Sequence, residues 1–303
     1  MTTRFKLVLL ALLALSAFIP LYGEDDTIAL EQDSSDPKLA KIVLIAGNQA
    51  GNILHQYWAG TVLISKLLRQ TPGIHVVVVR GGWPKNPAIF DNAKAIVLYM
   101  EGGEDGTVHP LSVPGRMDVL QKAIEAGAGL VTLHKGGAVP GEPAQKMMQW
   151  QGAVYDFKSS NKGHWTVAFQ TFPQQPITRG MKPFKLNDGY CVGLNFIPEM
   201  KGVTPLLYAP KAKGNLPSIA ESSTDSKDIT AWTYERPDGG RAFCFTGLHS
   251  HRYMAEESIR KLVINGILWA AKIEIPADGA KAELDPADLE KNIEVPQAKD
   301  KKK

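Results

Sequence analysis

The stretch GLVTLHKGG, residues 129–137, is an apolar run that ends on His134 and then turns through Lys135 and two glycines. A buried strand followed by a tight glycine-flanked turn is where many parallel-sheet enzymes place a reactive serine or cysteine. Here the place is taken by a histidine, which carries protons or binds ligands. The stretch therefore predicts a strand that delivers His134 to a functional edge of a sheet, with a packing histidine as the alternative.

Three similar apolar runs precede this stretch, and segments with helical spacing lie between them. Each run is rich in β-branched residues and is bounded by glycine, proline or asparagine, which is typical of a buried strand. Strands that alternate with helices at this spacing predict an α/β fold, a doubly wound and mostly parallel sheet with helices on both faces. The predicted strands are KIVLIAG (41–47), IHVVVVR (74–80) and KAIVLYM (94–100), and the predicted helices cover 56–70 and 114–127.

The alternation of predicted strands and helices ends after Pro140, where strand-like runs follow one another with little helix between them. The turn RPDGG (236–240) lies between the last two runs and predicts that they pair as a hairpin. We therefore expect antiparallel strands at an edge of the same sheet, and a final helix over 255–271 with one apolar face. The runs are HWTVAFQ (164–170), TPLLYAP (204–210), ITAWTYE (229–235) and GRAFCFTG (240–247).

The first 23 residues have the pattern of a secretory signal peptide, because Arg4 and Lys6 precede a long apolar run and acidic residues begin at Glu24. A membrane anchor is the alternative, but the run is short for a span and Pro20 lies near its end. We expect cleavage, export to the periplasm or the extracellular space, and no stable membrane insertion afterwards. The predicted organisation is 1–23 signal peptide, 24–40 flexible lead-in, 41–273 one α/β domain and 274–303 a charged, disordered tail.

Composition and motifs exclude several classes of protein. The 34 lysines and arginines nearly balance the 31 aspartates and glutamates, so charge does not argue for nucleic acid as a partner. G-x-G-x-x-G, G-x-x-x-x-G-K-[ST] and G-x-S-x-G are all absent, so we expect neither a nucleotide cofactor nor a serine hydrolase. Cys191 and Cys244 are far apart, and Cys244 lies in an apolar run, which favours free thiols over a disulfide.

The segments that follow the first, third and fourth strands each contain a histidine. The carboxyl ends of parallel strands meet at one edge of a sheet, where ligands bind in such folds. His55, His109 and His134 are therefore expected at the same rim, with capping or packing as the alternative role for each. Glu101, at the tip of the third strand, could supply a base there.

Two further groups carry polar chemistry. His249 and His251 in GLHSHR lie two residues apart, so in an extended strand both imidazoles would face one ligand or a divalent metal, with Arg252 adjacent. Asp188 in LNDGYC is predicted as a loop carboxylate, with an ordinary turn aspartate as the alternative. Paired with His134 it would form an acid/base unit suited to proton abstraction beside a carbonyl or to protonation of a glycosidic oxygen.

The order of these segments resembles the trehalose-utilisation (ThuA-like) family over roughly residues 41–273. The resemblance implies the fold of class I glutamine amidotransferases, with His134 in the place of their cysteine nucleophile, so glutamine hydrolysis is not expected. It also implies carbohydrate metabolism, including keto-derivatives of disaccharides and cleavage of their glycosidic bonds. The matching segments include KIVLIAG, HQYWAG, GWPKNPAIFDNAKAIVLYMEGG, GLVTLH, QQPITRGMKPFKLNDGY, WTYERPDGGRAFCFTGLHSH and RKLVINGILWAAK.

The resemblance also implies a set of polar positions, and the chain departs from it at two neighbours of that set. Glutamate commonly follows the first histidine in the family, but Gln56 stands here; glutamate commonly follows the aspartate, but Gly189 stands here. An amide keeps hydrogen bonding but cannot carry a proton or neutralise a metal. The recurrent polar positions of the family fall on His55, His109, Asp188, His249 and His251.

Three hypotheses follow from the sequence. The first is an exported enzyme acting on a sugar or keto-sugar glycoside, with His134 and Asp188 as acid/base residues. The second, favoured by the two departures and the missing nucleophile, is a carbohydrate-binding protein without turnover, and the third is a platform for a partner. The residues expected to orient the carbohydrate or to hold a divalent metal are His55, Gln56, Glu101, His109, His249, His251 and Arg252.

Overall fold

The structure is a computed structural model that describes residues 28–49, 52–102, 108–211, 218–220 and 225–295. The predicted signal peptide lies outside the described residues. Among the helices of the described ranges, none combines the length and the apolar character needed to cross a membrane. The helices are α1 (Tyr57–Leu68), α2 (Arg116–Glu125), α3 (Pro143–Gln151) and α4 (Glu257–Ala270). The strands are β1 (Ala40–Ala46), β2 (Ile74–Arg80), β3 (Ala95–Met100), β4 (Gly129–His134), β5 (Ala153–Val154), β6 (Asn161–Phe169), β7 (Phe184–Val192), β8 (Asn195–Phe196), β9 (Val203–Tyr208), β10 (Ser218–Ala220), β11 (Ile229–Glu235) and β12 (Arg241–Phe245).

The central sheet has seven strands in the order β2-β1-β3-β4-β12-β11-β9. Its first five strands run parallel, with β1 between β2 and β3 and with β4 between β3 and β12. From β12 the sheet continues antiparallel through β11 to β9. The doubly wound, mostly parallel sheet with added antiparallel edge strands is therefore confirmed, and so is the hairpin on the turn at 236–240.

The unbroken apolar strands reflect burial on both faces of this sheet. In β1, Ile42 faces the core beneath α1 and α4, and its neighbour Val43 faces the core beneath α2 and α3. A strand buried on both sides has no polar face, so its sequence does not alternate. Cys191 and Cys244 lie in the second of these cores and are not joined by a disulfide, as the sequence predicts.

Part of the second half departs from the single predicted sheet. β6 and β7 pair antiparallel and form a separate three-stranded sheet with β10. Asp188 therefore lies in a strand, opposite Trp165, and the prediction of a loop carboxylate is wrong. The sequence Asn187-Asp188-Gly189 has the composition of a turn, and cross-strand pairing with β6 overrides that local preference.

The segment after α4 follows a packed course as far as Val295, and the prediction of a disordered tail is wrong for residues 274–295. Ile275, Ala280 and Ala282 are buried, and the Asn265 side chain of α4 accepts the Ala280 N–H at 2.8 Å. The described part of the predicted lead-in also lies against the domain, since Leu30 bridges to the edge strand β2. Small alanines and hydrogen bonds to helix side chains hold the C-terminal segment, and neither produces an apolar period in the sequence.

Candidate functional site

The strand β4 ends with His134 in a strained backbone conformation. Its φ is +54°, in the left-handed region that non-glycine residues seldom adopt. The turn that follows packs directly on β3, because a Cβ at Gly136 would lie 2.3 Å from the Leu98 carbonyl oxygen. Strain of this kind persists only where the surrounding structure enforces it, and it concentrates at functional sites.

Three imidazoles meet at the carboxyl ends of the parallel strands. The His134 ring lies 5.3 Å from that of His55 and 5.0 Å from that of His249, between ring centroids. One ring nitrogen from each residue falls within 4.8 Å of the others. His55 comes from the connection after β1 and His249 from the connection after β12. We call these three residues the histidine cluster.

Glu101, directly after β3, places a carboxylate beside the cluster. Its Oε1 lies 2.5 Å from His55 Nδ1, and its Oε2 lies 3.2 Å from Lys135 Nζ and 4.0 Å from His134 Nε2. Burial favours the neutral acid, but the contact with His55 and the Lys135 ammonium outweigh it and lower the pKa of Glu101 below its usual value. The carboxylate is therefore ionised near neutral pH and can accept a proton.

The histidines of the cluster are suited to donate lone pairs. Burial, with the neighbouring charges of His249 and Lys135, holds the pKa of His134 well below its usual value. Burial, with the charges of His55 and His164, lowers the pKa of His249 to about 3. Both rings are therefore neutral at neutral pH, and a neutral imidazole is the form that binds a metal or accepts a hydrogen bond.

The donor set fits a divalent transition metal. Both ring nitrogens of His134 and Nε2 of His55 are buried without a hydrogen-bond partner of ordinary geometry among the described residues. Unsatisfied buried polar atoms are costly and call for a ligand or an ordered water. Zinc takes histidine nitrogens at about 2.0–2.1 Å, which sets three of them about 3.4 Å apart in a tetrahedral site. The nitrogens of the cluster, which lie within 4.8 Å of one another, would have to move closer together to hold such a metal.

Three polar neighbours of the site are not among the catalytic and binding residues that the sequence predicts, although for His164, at the start of its strand-like run, both surface exposure and substrate contact are open from the sequence. Lys135 and Tyr57 stand next to predicted residues in the sequence, and adjacency was the signal available for them. The Tyr57 ring stacks on His55, and burial, with the charge of Glu101, raises the pKa of Tyr57 well above its usual value. His164 reaches the cluster from the separate sheet, where its exposed ring contacts Nδ1 of His249 through Nε2. The sequence offered no signal for that contact.

Asp188 holds the backbone of the connection that carries His249. Its buried carboxylate accepts the N–H groups of Gly189 and Leu248, each at 2.6 Å, and of His249 at 3.1 Å. Leu248 itself has a left-handed φ of +64°. Burial raises the pKa of Asp188 to about 7 despite these hydrogen bonds. Because backbone donors contact both oxygens, Asp188 holds the backbone that carries His249.

The departure at Gly189 has a structural consequence. A Cβ at this position would lie 2.6 Å from Nδ1 of His249 and 2.9 Å from its Cβ and Cγ. Gly189 also lies directly opposite His164 in the β6–β7 pairing. The missing side chain therefore makes the space in which His249 packs between His164 and the rest of the cluster.

Two other predicted residues lie outside the cluster because the chain after β12 is not extended. A short helix begins at His251, whose ring is fully buried and whose Nε2 lies 2.8 Å from the Leu289 carbonyl oxygen. Arg252 pairs with Glu290 at 2.5 Å. The expectation that His249 and His251 face one ligand is therefore wrong, since side chains share a face at a spacing of two only in an extended strand.

His109 and Gln56 do not join the cluster, although the His109 ring lies against the turn at Lys135 and Gly136 that follows His134. Nδ1 of His109 accepts the Leu111 N–H at 3.1 Å and caps a short helix, and burial lowers the pKa of His109 to about 4. The Gln56 amide, directly after His55, exchanges two hydrogen bonds with the backbone of Glu294. The structure thus brings together His55, Glu101, His134 and His249 of the predicted set, keeps His109 at the same rim, and engages Gln56, His251 and Arg252 with the C-terminal segment.

Comparison with known proteins gives a family and a fold. The ThuA family, described as trehalose utilisation, matches residues 42–270. A solved ThuA-like protein from Bacteroides uniformis is 13% identical, with 79% of this chain and 94% of that chain covered and a TM-score of 0.50. A second, from Parabacteroides merdae, is 11% identical, with 83% and 99% covered and a TM-score of 0.51. A glutamine amidotransferase aligns at 13% identity over 77% and 99%, with a TM-score of 0.41.

No curated protein matches the sequence. The expected resemblance to the ThuA family is confirmed by the family match, and the first two structures share the fold. The fold is a mostly parallel sheet of seven strands covered by helices and accompanied by small sheets.

Proposed function

Because the chain belongs to the ThuA family of trehalose utilisation, we propose that it is an exported protein of carbohydrate utilisation that acts on a sugar or keto-sugar glycoside. The observation that carries the proposal is the histidine cluster beside an ionised Glu101, at the carboxyl ends of the parallel strands. Ligands bind at this edge in doubly wound sheets. The signal-like sequence at residues 1–23 supports export.

The residues of the site divide between binding and proton transfer. The three histidines would hold a divalent metal, and Glu101 would keep the His55 ring oriented through Nδ1, as carboxylates commonly do behind ligating histidines. A metal held there supplies a Lewis acid that polarises a carbonyl or acidifies a bound water. The second oxygen of Glu101 can take a proton from a sugar carbon or a water, and Lys135 stabilises the carboxylate between turnovers.

The substrate side of the site is its solvent-facing edge. His164 is exposed and contacts His249, the least buried ring of the cluster. Its imidazole can both donate and accept, so it can bind sugar hydroxyls or protonate a leaving glycosidic oxygen. In this proposal His164 and Glu101 take the acid and base roles, Asp188 has a positioning role, and His134 is a ligand.

A carbohydrate-binding protein without turnover is the second candidate. Gln56 and Gly189 favour it, because each stands where a carboxylate is common in the family. In this chain the Gln56 amide binds the backbone of Glu294, and the His249 ring packs against Gly189. Binding would still use the neutral histidines and Glu101, whose hydrogen bonds suit sugar hydroxyls.

Turnover assays separate these candidates. The protein without its first 23 residues is incubated with disaccharides and their 3-keto forms, with and without zinc or manganese, and products are followed by chromatography. The enzyme proposal expects metal-dependent consumption of a glycoside that Glu101→Gln and His164→Ala each suppress. Calorimetric binding of a sugar without consumption of any member of the panel would leave the binding candidate and refute the enzyme.

A further inference from the structure

The C-terminal segment reaches the candidate site through Gln56. The Gln56 Nε2 donates to the Glu294 carbonyl at 2.7 Å, and its Oε1 accepts the Glu294 N–H at 2.7 Å. The same amide donates to the Ile53 carbonyl at 3.0 Å, and only 2% of Gln56 is exposed. A glutamate here could accept but not donate, so the three hydrogen bonds require an amide.

The same segment holds the other connection that enters the cluster. The Leu289 carbonyl lies against Nε2 of the buried His251, two residues after His249, and Glu290 pairs with Arg252. Asp288 pairs with Lys66 of α1 at 3.0 Å, which ties the segment to the helix that follows His55. A single stretch of chain therefore contacts both the His55 and the His249 connections.

We propose that residues 286–294, which we call the C-terminal clasp, position His55 and His249 for ligand binding, with Gln56 as the main positioning residue. The proposal rests on the histidine cluster being the ligand site of the proposed function. Sheet strands fix His134 and Glu101, whereas His55 stands on a connection whose last turn is fastened by the clasp. A side chain on a loop keeps a productive geometry only when neighbouring hydrogen bonds hold the loop.

The chain contains a matched control for this role. At the opposite end of α1 the Gln70 Nε2 donates to the Glu283 carbonyl at 2.7 Å, and its Oε1 accepts the Glu283 N–H at 2.9 Å. This pairing fastens the same helix to the same C-terminal segment by the same reciprocal amide contact. It lies after α1, on the far side of the helix from His55, so it should stabilise the fold without positioning the cluster.

The test compares Gln56→Ala, Gln56→Glu and Gln70→Ala in the full chain lacking only residues 1–23. The zinc dissociation constant is measured by chelator competition, and the melting temperature is measured on the same samples. We expect both alanine variants to lower the melting temperature, but the two Gln56 variants to weaken zinc binding about 10- to 100-fold and Gln70→Ala to leave it within about twofold. Equal losses of zinc affinity at both glutamines, or none at Gln56, would overturn the clasp.

Imidazole NMR gives a readout that needs no metal. Long-range proton–nitrogen spectra of the metal-free protein report the environment of each ring nitrogen. Gln56→Ala should shift or broaden the His55 and His249 signals and leave those of His75, while Gln70→Ala leaves all three. Unchanged His55 signals in Gln56→Ala would refute the clasp even in a protein that binds no zinc, whereas absent zinc binding in the wild type would count against the proposed metal site alone.

Discussion

The histidine cluster has a sheet-borne side and a loop-borne side. His134 and Glu101 stand at the ends of β4 and β3, whose backbones are buried in the middle of the central sheet. His55 stands on a connection that the Gln56 side chain fastens to the Glu294 backbone, and His249 stands on one that the Asp188 side chain holds. The sheet thus provides a fixed pair of groups, and the loops complete the site only while Asp188 and the C-terminal clasp keep them in position.

His134→Ala should produce the largest effect, because it removes the ligand that the sheet fixes. We expect zinc affinity to fall by about a thousandfold, beyond the 10- to 100-fold typical of an outer-shell partner. The free energy of unfolding measured in urea should change little. Among the described residues, no group lies within hydrogen-bonding distance and angle of either ring nitrogen of His134. His75→Ala, in β2 and outside the cluster, is the control and should keep wild-type affinity. Comparable losses in both variants would refute the placement of the site.

Asp188→Asn should have the second-largest effect, and it should act on the loop-borne side of the cluster. One backbone N–H among Gly189, Leu248 and His249 would then face an amide N–H₂, which costs about 1–3 kcal/mol of unfolding free energy. Zinc affinity should fall about a hundredfold because His249 moves with its backbone. Asp118→Asn, at an exposed carboxylate paired with Lys146, is the control. If Asp188→Asn were to keep both stability and zinc affinity, the positioning role would be wrong.

Glu101→Gln tests the charge on the sheet-borne side while preserving its shape. We expect zinc affinity to fall about 10- to 30-fold, because the amide orients His55 less strongly than a carboxylate does. Turnover should fall further than binding, since an amide cannot accept a proton. Separate measurement of kcat and of sugar affinity distinguishes the two losses, and equal losses in both would contradict the assignment of Glu101 as a base.

Gly189→Ala should have a smaller effect, confined to the loop-borne side. The new Cβ would meet the His249 ring at 2.6 Å, so the ring must shift from its present position. About a tenfold loss of zinc affinity is expected, with Gly163→Ala on the neighbouring strand as the control, where the nearest atom is 3.3 Å away. Wild-type affinity in Gly189→Ala would show that this glycine does not shape the cluster.

The smallest effect is expected in the pH dependence of the unfolding free energy. Burial raises the pKa of Asp188 from 3.8 to about 7, so between these values the folded protein holds a proton that the unfolded chain has lost. The unfolding free energy contributed by this group therefore falls as pH rises from about 4 to 7 and is constant above that range. Urea titrations from pH 4 to 8 should show this decline in the difference between wild type and Asp188→Asn. A difference that rises with pH would contradict the burial of a protonated Asp188.

The sequence predicted the sheet-borne side and missed the arrangement of the loop-borne side. His134 could be placed because a parallel strand ends at a known edge of its sheet, and burial on both faces leaves an unmistakable apolar run. His249 and His251 could not be told apart, because the left-handed Leu248 and the short helix after it depend on Asp188, a residue about 60 positions away in sequence. Gln56 was expected to contact the ligand, but its amide binds the backbone of Glu294. The sequence did not predict this contact, because the C-terminal segment has no apolar periodicity that would mark it as packed.

The most direct measurement is a crystal structure of the zinc-soaked protein with data collected on both sides of the zinc absorption edge. We expect one strong anomalous peak bound by nitrogens of His55, His134 and His249, with Glu101 behind His55. The peak should disappear in His134→Ala crystals. A zinc ion bound elsewhere with the cluster empty, or a peak that persists in His134→Ala, would contradict the central claim that these three histidines form the ligand site.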